Sequence, residues 1–166
     1  MDLRAVVHRA PGGGRAHADL EGILDSNRRQ LERAFHMVQA AGSRRFGILG
    51  LAFKAGTDDL RESPMVTLIE MLLGKGYQLA IYDRDVSQAN LISANREYIE
   101  REIPHIWTLM CSRIDEVTER ADTVVIGNGS KEFRSLNGEL DGRMVIDLAR
   151  ALGGRVSNEQ YQGICC

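Results

Sequence analysis

The chain has 166 residues, of which 43% are apolar and 27% are charged. This composition is typical of one globular domain, and it excludes a collagen-like, an intrinsically disordered or a disulfide-stabilised protein. The 21 lysines and arginines nearly balance 23 aspartates and glutamates, so we expect binding to neither nucleic acid nor an anionic membrane. No apolar run approaches the roughly 20 residues of a membrane-spanning helix, and the amino terminus lacks the layout of a secretory signal, so we expect a cytoplasmic protein.

The cysteines and histidines show no pattern that would predict a metal site or a disulfide framework. Cys111 stands alone and Cys165 is next to Cys166, whereas a zinc site needs ligands at separated, characteristic spacings. In the reducing cytosol we expect all three to be free thiols. The four histidines are also scattered, so we expect them to be structural residues and not metal ligands.

The first 42 residues predict a connector followed by a long amphipathic helix. Residues 2–18 include Pro11 and three consecutive glycines, which are poor helix formers, and we interpret this stretch as a connector. From Asp19 to Ala41 apolar residues recur at three- and four-residue spacing, which predicts a helix that ends at Gly42. We therefore expect a domain boundary after residue 42, with a second unit over 43–166.

After residue 42 the pattern changes to short apolar runs that alternate with helical stretches. Because parallel strands joined by helices are buried on both faces, this alternation predicts a three-layer α/β fold with an open parallel sheet. Ligands of such sheets bind at the carboxyl ends of the strands. The predicted strands cover 46–51, 77–82, 107–111, 123–127 and 144–148, and the predicted helices cover 65–73, 87–95 and 112–120, with a helical turn from 97 to 104.

The segment after the first predicted strand, GLAFKAGTDDLRESP over residues 50–64, is the strongest candidate for a functional site. Ser63 is a good helix N-cap and Pro64 a good first helical residue, so the next helix is predicted to begin there. The intervening residues 53–62 form a loop that is longer than a minimal strand-to-helix connection needs. Glycine allows a ligand to approach the backbone closely, and the free N–H groups at the start of a helix attract phosphate.

The loop carries four charged residues, Lys54, Asp58, Asp59 and Arg61, and two interpretations of them remain open. The cations could bind an anionic ligand at the edge of the sheet. Alternatively, the two aspartates could complement the helix dipole while Lys54 and Arg61 serve as surface counter-charges. The glycines do not decide between these interpretations, because their G-x-x-G spacing is not the G-x-G-x-x-G fingerprint of dinucleotide-binding domains.

Three polar residues lie at the ends of other predicted strands. Asp83 lies after the second strand, too far along the chain from the glycines to be the ribose-binding carboxylate of a dinucleotide site. Asn128 stands between two glycines, and this pattern favours a tight turn with positive φ over a ligand contact. Asp147 is interpreted as a helix cap or a buried hydrogen-bond acceptor and not as a catalytic residue.

On these residues the chain resembles the UDP-glucose/GDP-mannose dehydrogenase family, whose enzymes oxidise a nucleotide sugar to the uronic acid with two NAD. The sequence KAGTDDLRESP, which follows GILGLAF, is similar to that of the GDP-mannose 6-dehydrogenase branch. The UDP-glucose branch usually has proline and asparagine at the positions of Ala55 and Gly56. The resemblance extends over nearly the whole chain. It includes DLRA at 2–5, SN at 26–27, GKGY at 74–77, GNG at 127–129 and GIC at 163–165.

The resemblance implies a Rossmann-like nucleotide-sugar-binding domain preceded by the long helix, and it implies roles for two residues of the loop. Lys54 matches the family's lysine that contacts the nucleotide sugar, and Arg61 matches the arginine that reaches NAD held by another domain. A compact ammonium and a forked guanidinium suit these oxygen-rich partners. We expect no metal in the site.

The resemblance also implies the C-terminal part of an NAD-dependent enzyme of polysaccharide biosynthesis, which performs a four-electron oxidation of GDP-mannose. The family's nucleophilic cysteine, in a GGSCLPKD motif, would fall just before Met1, and the NAD-binding domain would precede it. We therefore expect no catalytic residue in this chain and no activity of the chain alone. The expected partners are GDP-mannose, the NAD-binding domain and a second copy of the chain, bound through the long helix.

Three alternatives stay open at this point. The chain could be part of a UDP-glucose 6-dehydrogenase instead. It could also be a non-catalytic binding or assembly module that dimerises through the long helix. A free-standing NAD-binding domain is a weaker alternative, because the glycine fingerprint is incomplete.

Overall fold

The computed structural model describes residues 14–52, 54–61, 63–89, 97, 100–101, 104–136, 140, 142–153 and 157–164. Among these residues, side chains are described from residue 25 onward, apart from residues 87–89. The elements in chain order are α1 (Gly14–Ala40), β1 (Arg45–Leu49), α2 (Pro64–Gly74), β2 (Gln78–Tyr82), α3 (Arg84–Ala89), α4 (Ile106–Leu109), α5 (Ile114–Arg120), β3 (Thr123–Ile126), a 3-10 helix (Lys131–Ser135), β4 (Met144–Asp147) and β5 (Tyr161–Gly163).

The strands form one sheet in the order β2-β1-β3-β4-β5, and every neighbouring pair is parallel. In the centre of the sheet, Gly47 of β1 is opposite Ala80 of β2 and Val124 of β3. The chain therefore leaves β1 toward one edge of the sheet and later crosses to the other side at β3. This confirms the predicted parallel sheet, and it puts a change of winding direction between β1 and β3.

Both faces of the sheet are covered, which gives the predicted three layers. Along β1 successive side chains point to opposite faces. Ile48 is buried in one hydrophobic cluster with Phe35 of α1 and Leu68 of α2. Leu49 is buried in a second cluster with Val117 of α5. Because side chains on both faces of a strand meet a core, the strands are continuous apolar runs in the sequence.

Gly47 lets α5 pack very close to β1. A Cβ atom at this position would lie 2.6 Å from Cγ1 of Val117 and 3.0 Å from Cβ of Ala121. Interiors are packed without free space for such an atom, so a side chain here would push α5 away from the sheet. This glycine, one of the two in the G-x-x-G spacing, therefore serves the packing of a helix on a strand.

Helix α1 begins five residues earlier than predicted, so the prediction of a connector over residues 14–18 is wrong. Gly14 is tolerated there because glycine is among the residues accepted at the N-terminal end of a helix. The other end agrees with the prediction, since the helix ends at Ala40 and Gly42 follows with a φ of +70°. The inner face of the helix belongs to the same core as the sheet, through Ala34, Phe35 and Val38.

The strand predicted over 107–111 is also wrong. Ile106–Leu109 forms a short helix. Beyond it, Met110 forms an isolated bridge with Ile81 of β2, and the N–H of Cys111 donates to the carbonyl oxygen of Ile81 at 2.7 Å. The carbonyl oxygen of His105 accepts hydrogen bonds from both the N–H and the hydroxyl of Thr108, which favours the helical turn. An apolar run this short has no periodicity that distinguishes a strand from one turn of helix.

The remaining differences concern short elements. Helix α3 begins at Arg84, three residues before the predicted start at residue 87, because the carboxylate of Asp83 accepts hydrogen bonds from the N–H groups of Asp85 and Val86. The part of this predicted helix after residue 89 and half of the predicted turn over 97–104 lie outside the described residues. The sequence pattern predicts neither β5 nor the 3-10 helix, since segments this short carry little periodicity.

Candidate functional site

The carboxyl ends of β1, β2 and β3 meet at one edge of the sheet, and the polar residues that follow them come together there. The direction of winding changes between β1 and β3, and at such points open parallel sheets form a crevice for ligands. Gly50 follows β1, Asp83 follows β2, and Asn128 comes shortly after β3. The predicted site residues Lys54 and Arg61 lie in the loop that starts from this edge.

Asp83 is a buried carboxylate that holds the backbone at the crevice in place through hydrogen bonds. Only 3% of this residue is exposed, and its Oδ2 accepts hydrogen bonds from the N–H groups of Leu51 at 2.7 Å and Ala52 at 3.0 Å. With the two bonds that cap α3, backbone donors satisfy both oxygens of a carboxylate that would otherwise be costly to bury. In dinucleotide-binding sheets the N–H groups at this position contact the pyrophosphate. Because a protein carboxylate already binds them here, the geometry disfavours a free-standing NAD-binding domain.

Two glycines allow two chain segments to approach closely at the bottom of the crevice. Gly50 has a φ of +91°, and a Cβ atom there would lie 2.6 Å from Cγ of Asn128. A Cβ atom on Gly127 would lie 2.5 Å from the carbonyl oxygen of Gly50. Asn128 is buried, and its Nδ2 donates to the carbonyl oxygen of Ala52 at 3.3 Å. The side-chain amide of Asn128 therefore joins the segment after β3 to the segment after β1.

The structure corrects one prediction for the strand ends and confirms another. The tight turn with positive φ predicted at Asn128 is wrong, because among the described residues Arg150 is the only non-glycine residue with a positive φ. Gly127 is required for space and not for its backbone angle. Asp147 is a buried acceptor, as predicted, and it binds the hydroxyl of Tyr161 at 3.0 Å together with three backbone N–H groups of the following turn.

The segment over residues 51–61, called the 51–61 loop below, is held at its base and at its tip. At the base, the Ser63 hydroxyl donates to the carbonyl oxygen of Leu51 at 2.8 Å and accepts from the N–H of Met65 at 3.3 Å. The predicted N-cap of α2 is confirmed, and the same side chain also closes the loop. At the tip, the N–H of Gly56 donates to Oδ2 of Asp85 at 3.0 Å.

Lys54 is exposed near the tip of the 51–61 loop. Its ammonium has no ion-pair partner within the part of the chain that the structure describes. Its carbonyl oxygen accepts a hydrogen bond from the hydroxyl of Thr57 at 2.8 Å, which restrains the backbone on its carboxyl side. A lone ammonium at this edge of the sheet can bind phosphate or sugar oxygens without first leaving a carboxylate.

Arg61 is exposed at the end of the 51–61 loop and forks onto Asp59. Its Nε donates to Oδ1 at 2.9 Å and a terminal nitrogen donates to Oδ2 at 3.2 Å. The hydrogen bond from Arg61 lowers the pKa of Asp59 below its ordinary value. Arg61 thus has a local counter-charge, as the second interpretation of the loop expects, whereas Lys54 has none among the described residues. With 66% of the Arg61 side chain exposed, the pair contributes little to stability and exchanges readily for another oxygen ligand.

A second polar cluster borders the crevice at the end of β2, and sequence reasoning does not find it. The Oε2 atom of Glu132 accepts hydrogen bonds from the hydroxyl of Tyr82 at 3.1 Å and from a terminal nitrogen of Arg84 at 2.6 Å. Burial raises the pKa of Tyr82 above its ordinary value. Residues about fifty positions apart carry no shared local signal. Asp85 is also missed, although the spacing of two aspartates directly after a strand could have indicated it.

The described residues hold no further group suited to metal or thiol chemistry. No cluster of three or more histidine, cysteine, aspartate or glutamate side chains in this part of the chain could bind a metal ion. Cys111 is buried, and burial raises the pKa of its thiol, which makes it a poor nucleophile. Of the helices that the structure describes, none is both long and apolar enough to cross a membrane.

The fold is a three-layer α/β structure with a parallel sheet and a crevice where the direction of winding changes, and a cation-bearing loop lies at the same edge. These features define a Rossmann-like domain of the nucleotide-binding type. Comparison with known proteins gives the family. Residues 47–154 match the UDP binding domain of the UDP-glucose/GDP-mannose dehydrogenase family, and the chain belongs to this family.

Individual relatives cover nearly the whole chain. The GDP-mannose 6-dehydrogenase of Pseudomonas aeruginosa is 44% identical over 165 residues, which are 99% of this chain and 38% of that protein. A UDP-glucose 6-dehydrogenase of Haloferax volcanii is 30% identical over 160 residues, or 93% of this chain and 35% of that protein. A crystal structure of a ternary complex of GDP-mannose dehydrogenase from Pseudomonas aeruginosa has a TM-score of 0.86 at 43% identity, with 99% of this chain and 38% of that chain covered. The chain therefore spans little more than a third of the length of these relatives.

Proposed function

We propose that this chain is the nucleotide-sugar-binding part of a GDP-mannose 6-dehydrogenase, an NAD-dependent cytoplasmic enzyme that oxidises its substrate to the uronic acid. The observation that carries the proposal is the 51–61 loop at the carboxyl edge of a sheet from the family's UDP binding domain. In this loop Lys54 is exposed and has no ion-pair partner among the residues that the structure describes. The higher identity to the GDP-mannose enzyme than to the UDP-glucose enzyme supports GDP-mannose as the ligand.

Lys54 is the residue that we assign to the substrate. A nucleotide sugar carries a diphosphate and several hydroxyl groups, and an ammonium with three donors is well suited to such closely spaced oxygens. No carboxylate among the described residues competes for this ammonium. The hydrogen bonds of Thr57 and Gly56 restrain the backbone next to Lys54, so less conformational entropy is lost when a ligand binds.

Arg61 is the residue that we assign to NAD held by another domain. A guanidinium binds phosphate or carboxamide oxygens with the same fork that it now presents to Asp59. Because exposed ion pairs contribute little to stability, exchanging Asp59 for a cofactor oxygen costs little. In this proposal Asp59 keeps the guanidinium oriented while NAD is absent.

In this proposal the residues that the structure describes supply no group for the chemical step. Covalent catalysis of the oxidation requires an accessible thiolate. Only 3% of Cys111 is exposed and its pKa is raised by burial, so it does not fill that role. The N–H groups after β1 that a dinucleotide would use are bonded to Asp83. We expect no turnover of GDP-mannose and NAD by the 166-residue chain alone.

The proposed assembly is a homodimer through α1. In the described part of this helix the inner face is buried against the sheet, and the exposed face is polar. Toward the amino end the sequence continues the apolar spacing with Leu20, Ile23 and Leu24, and this sequence pattern supports a contact of the helix with a second copy. Light scattering distinguishes this dimer from a monomer, and a monomer at all concentrations would contradict it.

Isothermal titration calorimetry of the purified chain tests the assigned ligand and residue. We expect GDP-mannose to bind, and we expect Lys54→Ala to weaken this binding about tenfold or more, the value of a charged hydrogen bond. The matched control is Lys75→Ala, which removes another exposed lysine at the opposite edge of the sheet and is expected to have no effect.

The same titration separates the alternatives. Binding of UDP-glucose more tightly than GDP-mannose indicates the UDP-glucose enzyme. Binding of NAD alone indicates a free-standing NAD-binding domain. If no nucleotide binds, the proposed function is wrong and a non-catalytic assembly module is favoured.

A further inference from the structure

We propose that Asp85 is a positioning residue for the nucleotide sugar, because its carboxylate fixes the tip of the 51–61 loop and thereby the place of Lys54. This inference rests on the proposed function, in which Lys54 contacts the ligand. The N–H of Gly56, two residues after Lys54, donates to Oδ2 of Asp85 at 3.0 Å. The bond joins residues 29 positions apart and links the loop to the start of α3.

The tip of the loop depends on this bond. Of the hydrogen bonds that the structure describes for residues 54–57, the bond to Asp85 is the one that reaches outside the loop. The bond from the Thr57 hydroxyl to Lys54 is internal and only shapes the turn. Gly56 has a φ of +79° and empty space around the position of a Cβ atom, so no side-chain packing holds it in place. Without an external anchor, the turn that carries Lys54 is free to move as a unit.

Asp85 is itself held by the buried core of the site. Its N–H donates to Oδ1 of Asp83 at 3.0 Å, and Oδ2 of Asp83 accepts from the N–H groups of Leu51 and Ala52. Asp83 therefore fixes the base of the loop and the backbone of Asp85, while Asp85 fixes the tip. The loop is therefore attached at two points, and both attachments are to the short segment that follows β2.

The different burial of the two aspartates makes the role of Asp85 testable. Asp83 is part of the core, whereas Asp85 is half-buried at the surface and bonds an exposed loop residue. We expect Asp85→Ala to shift the melting temperature by less than about 3 °C. We expect the same variant to weaken GDP-mannose binding about fivefold to tenfold, the value of one hydrogen bond.

The conservative variant separates the acceptor oxygen from the charge. Asp85→Asn keeps an oxygen that can accept from Gly56, so we expect it to restore binding to within about twofold of the unmodified chain. Amide hydrogen exchange at Gly56 is expected to accelerate in Asp85→Ala and to stay slow in Asp85→Asn. Asp115→Ala is the matched control, because Asp115 is also an acidic residue in the first turn of a helix but pairs with Arg113.

A double-mutant cycle completes the experiment. Calorimetry with GDP-mannose compares the unmodified chain, Lys54→Ala, Asp85→Ala and the double variant. If Asp85 acts through Lys54, Asp85→Ala weakens GDP-mannose binding by less than about twofold in a chain that already carries Lys54→Ala. Binding by the unmodified chain with no loss in Asp85→Ala, or with additive losses in the double variant, overturns this inference alone. Absence of GDP-mannose binding by the unmodified chain overturns the proposed function, and the positioning role with it.

Discussion

Asp83 and Asp85 are two residues apart in one short connection, and their different burial gives them different tasks. Asp83 is almost fully buried, and removing its carboxylate would leave the N–H groups of Leu51 and Ala52 unpaired inside the protein. Asp85 is half-buried and bonds an exposed glycine. At the scale of single residues, burial thus decides whether a carboxylate supports the fold or the loop of the site.

At the same scale, the buried thiol of Cys111 predicts how the stability of the chain depends on pH. Burial raises the pKa of its thiol in the folded chain. Below the ordinary pKa of a cysteine both the folded and the unfolded chain keep the proton. At higher pH the unfolded chain loses its proton first, so stability falls as the pH rises from about 8 to about 10. We expect the urea midpoint to fall more over this range in the unmodified chain than in Cys111→Ala.

Thiol reactivity checks the same burial independently. In a variant with Cys165→Ser and Cys166→Ser, Cys111 is the single cysteine of the chain. We expect a thiol reagent such as Ellman's reagent to modify it at least about a hundredfold more slowly in the folded than in the urea-unfolded chain, because the thiolate forms only on exposure. Equal rates in the two states would show that Cys111 is accessible.

At the scale of elements, glycines set how closely strands, helices and loops approach. Gly47 brings α5 against β1, and Gly127 brings the segment after β3 against the backbone of Gly50. Both positions lack the free space that a side chain would need. The missing side chains of these two glycines therefore set the distance between the neighbouring segments.

The substitution Gly127→Ala tests this close approach. The added Cβ atom would meet a backbone oxygen at 2.5 Å, and a backbone oxygen cannot rotate away as a flexible side chain can. We expect the free energy of unfolding to fall by about 2–3 kcal/mol, the cost of overpacking, in a urea denaturation experiment. Gly129→Ala is the control two residues further on, where a Cβ atom meets nothing within 4 Å, and its expected effect is below about 0.5 kcal/mol. Similar losses in both variants would contradict the close approach.

At the scale of the whole molecule, α1 and the sheet share one hydrophobic core. Phe35 of α1 is buried in the same cluster as Leu68 of α2 and Ile48 of β1. The domain boundary predicted after residue 42 stays a prediction, but the packing of α1 indicates that it unfolds together with the sheet.

The substitution Phe35→Ala tests this shared core. Truncating a buried phenylalanine leaves a cavity, and we expect the free energy of unfolding to fall by about 3 kcal/mol. Thermal unfolding of the variant is expected to remain a single transition, because the helix and the sheet lose stability together. Gln30→Ala, at an exposed position of the same helix, is expected to change stability by less than about 0.5 kcal/mol. An early, separate transition in Phe35→Ala would indicate that α1 is an independent unit.

Much of the fold and part of the site are predictable from local patterns. Apolar runs of strand length predict four of the five strands, and Ser63 followed by Pro64 predicts the start of α2. The same pattern marks residues 53–62 as a long loop with Lys54 and Arg61. The apolar run over 107–111 leads to the wrong prediction of a strand, because a single turn of helix and a short strand can have the same composition. No local signal predicts that Arg61 pairs with Asp59 while the Lys54 ammonium has no ion-pair partner in the described part of the chain.

The amino-acid sequence by itself determined the three-layer parallel sheet, the long helix and the position of the loop, because each of these follows from periodicity, capping residues and glycines within a few positions. Only the tertiary structure decided that Asp83 binds the base of the loop, that Asp85 binds its tip and that Asn128 joins the segment after β3 to the segment after β1. These bonds join residues 32, 29 and 76 positions apart. Contacts between residues so distant in the chain exist only after parallel strands have paired and have brought their carboxyl ends to one edge.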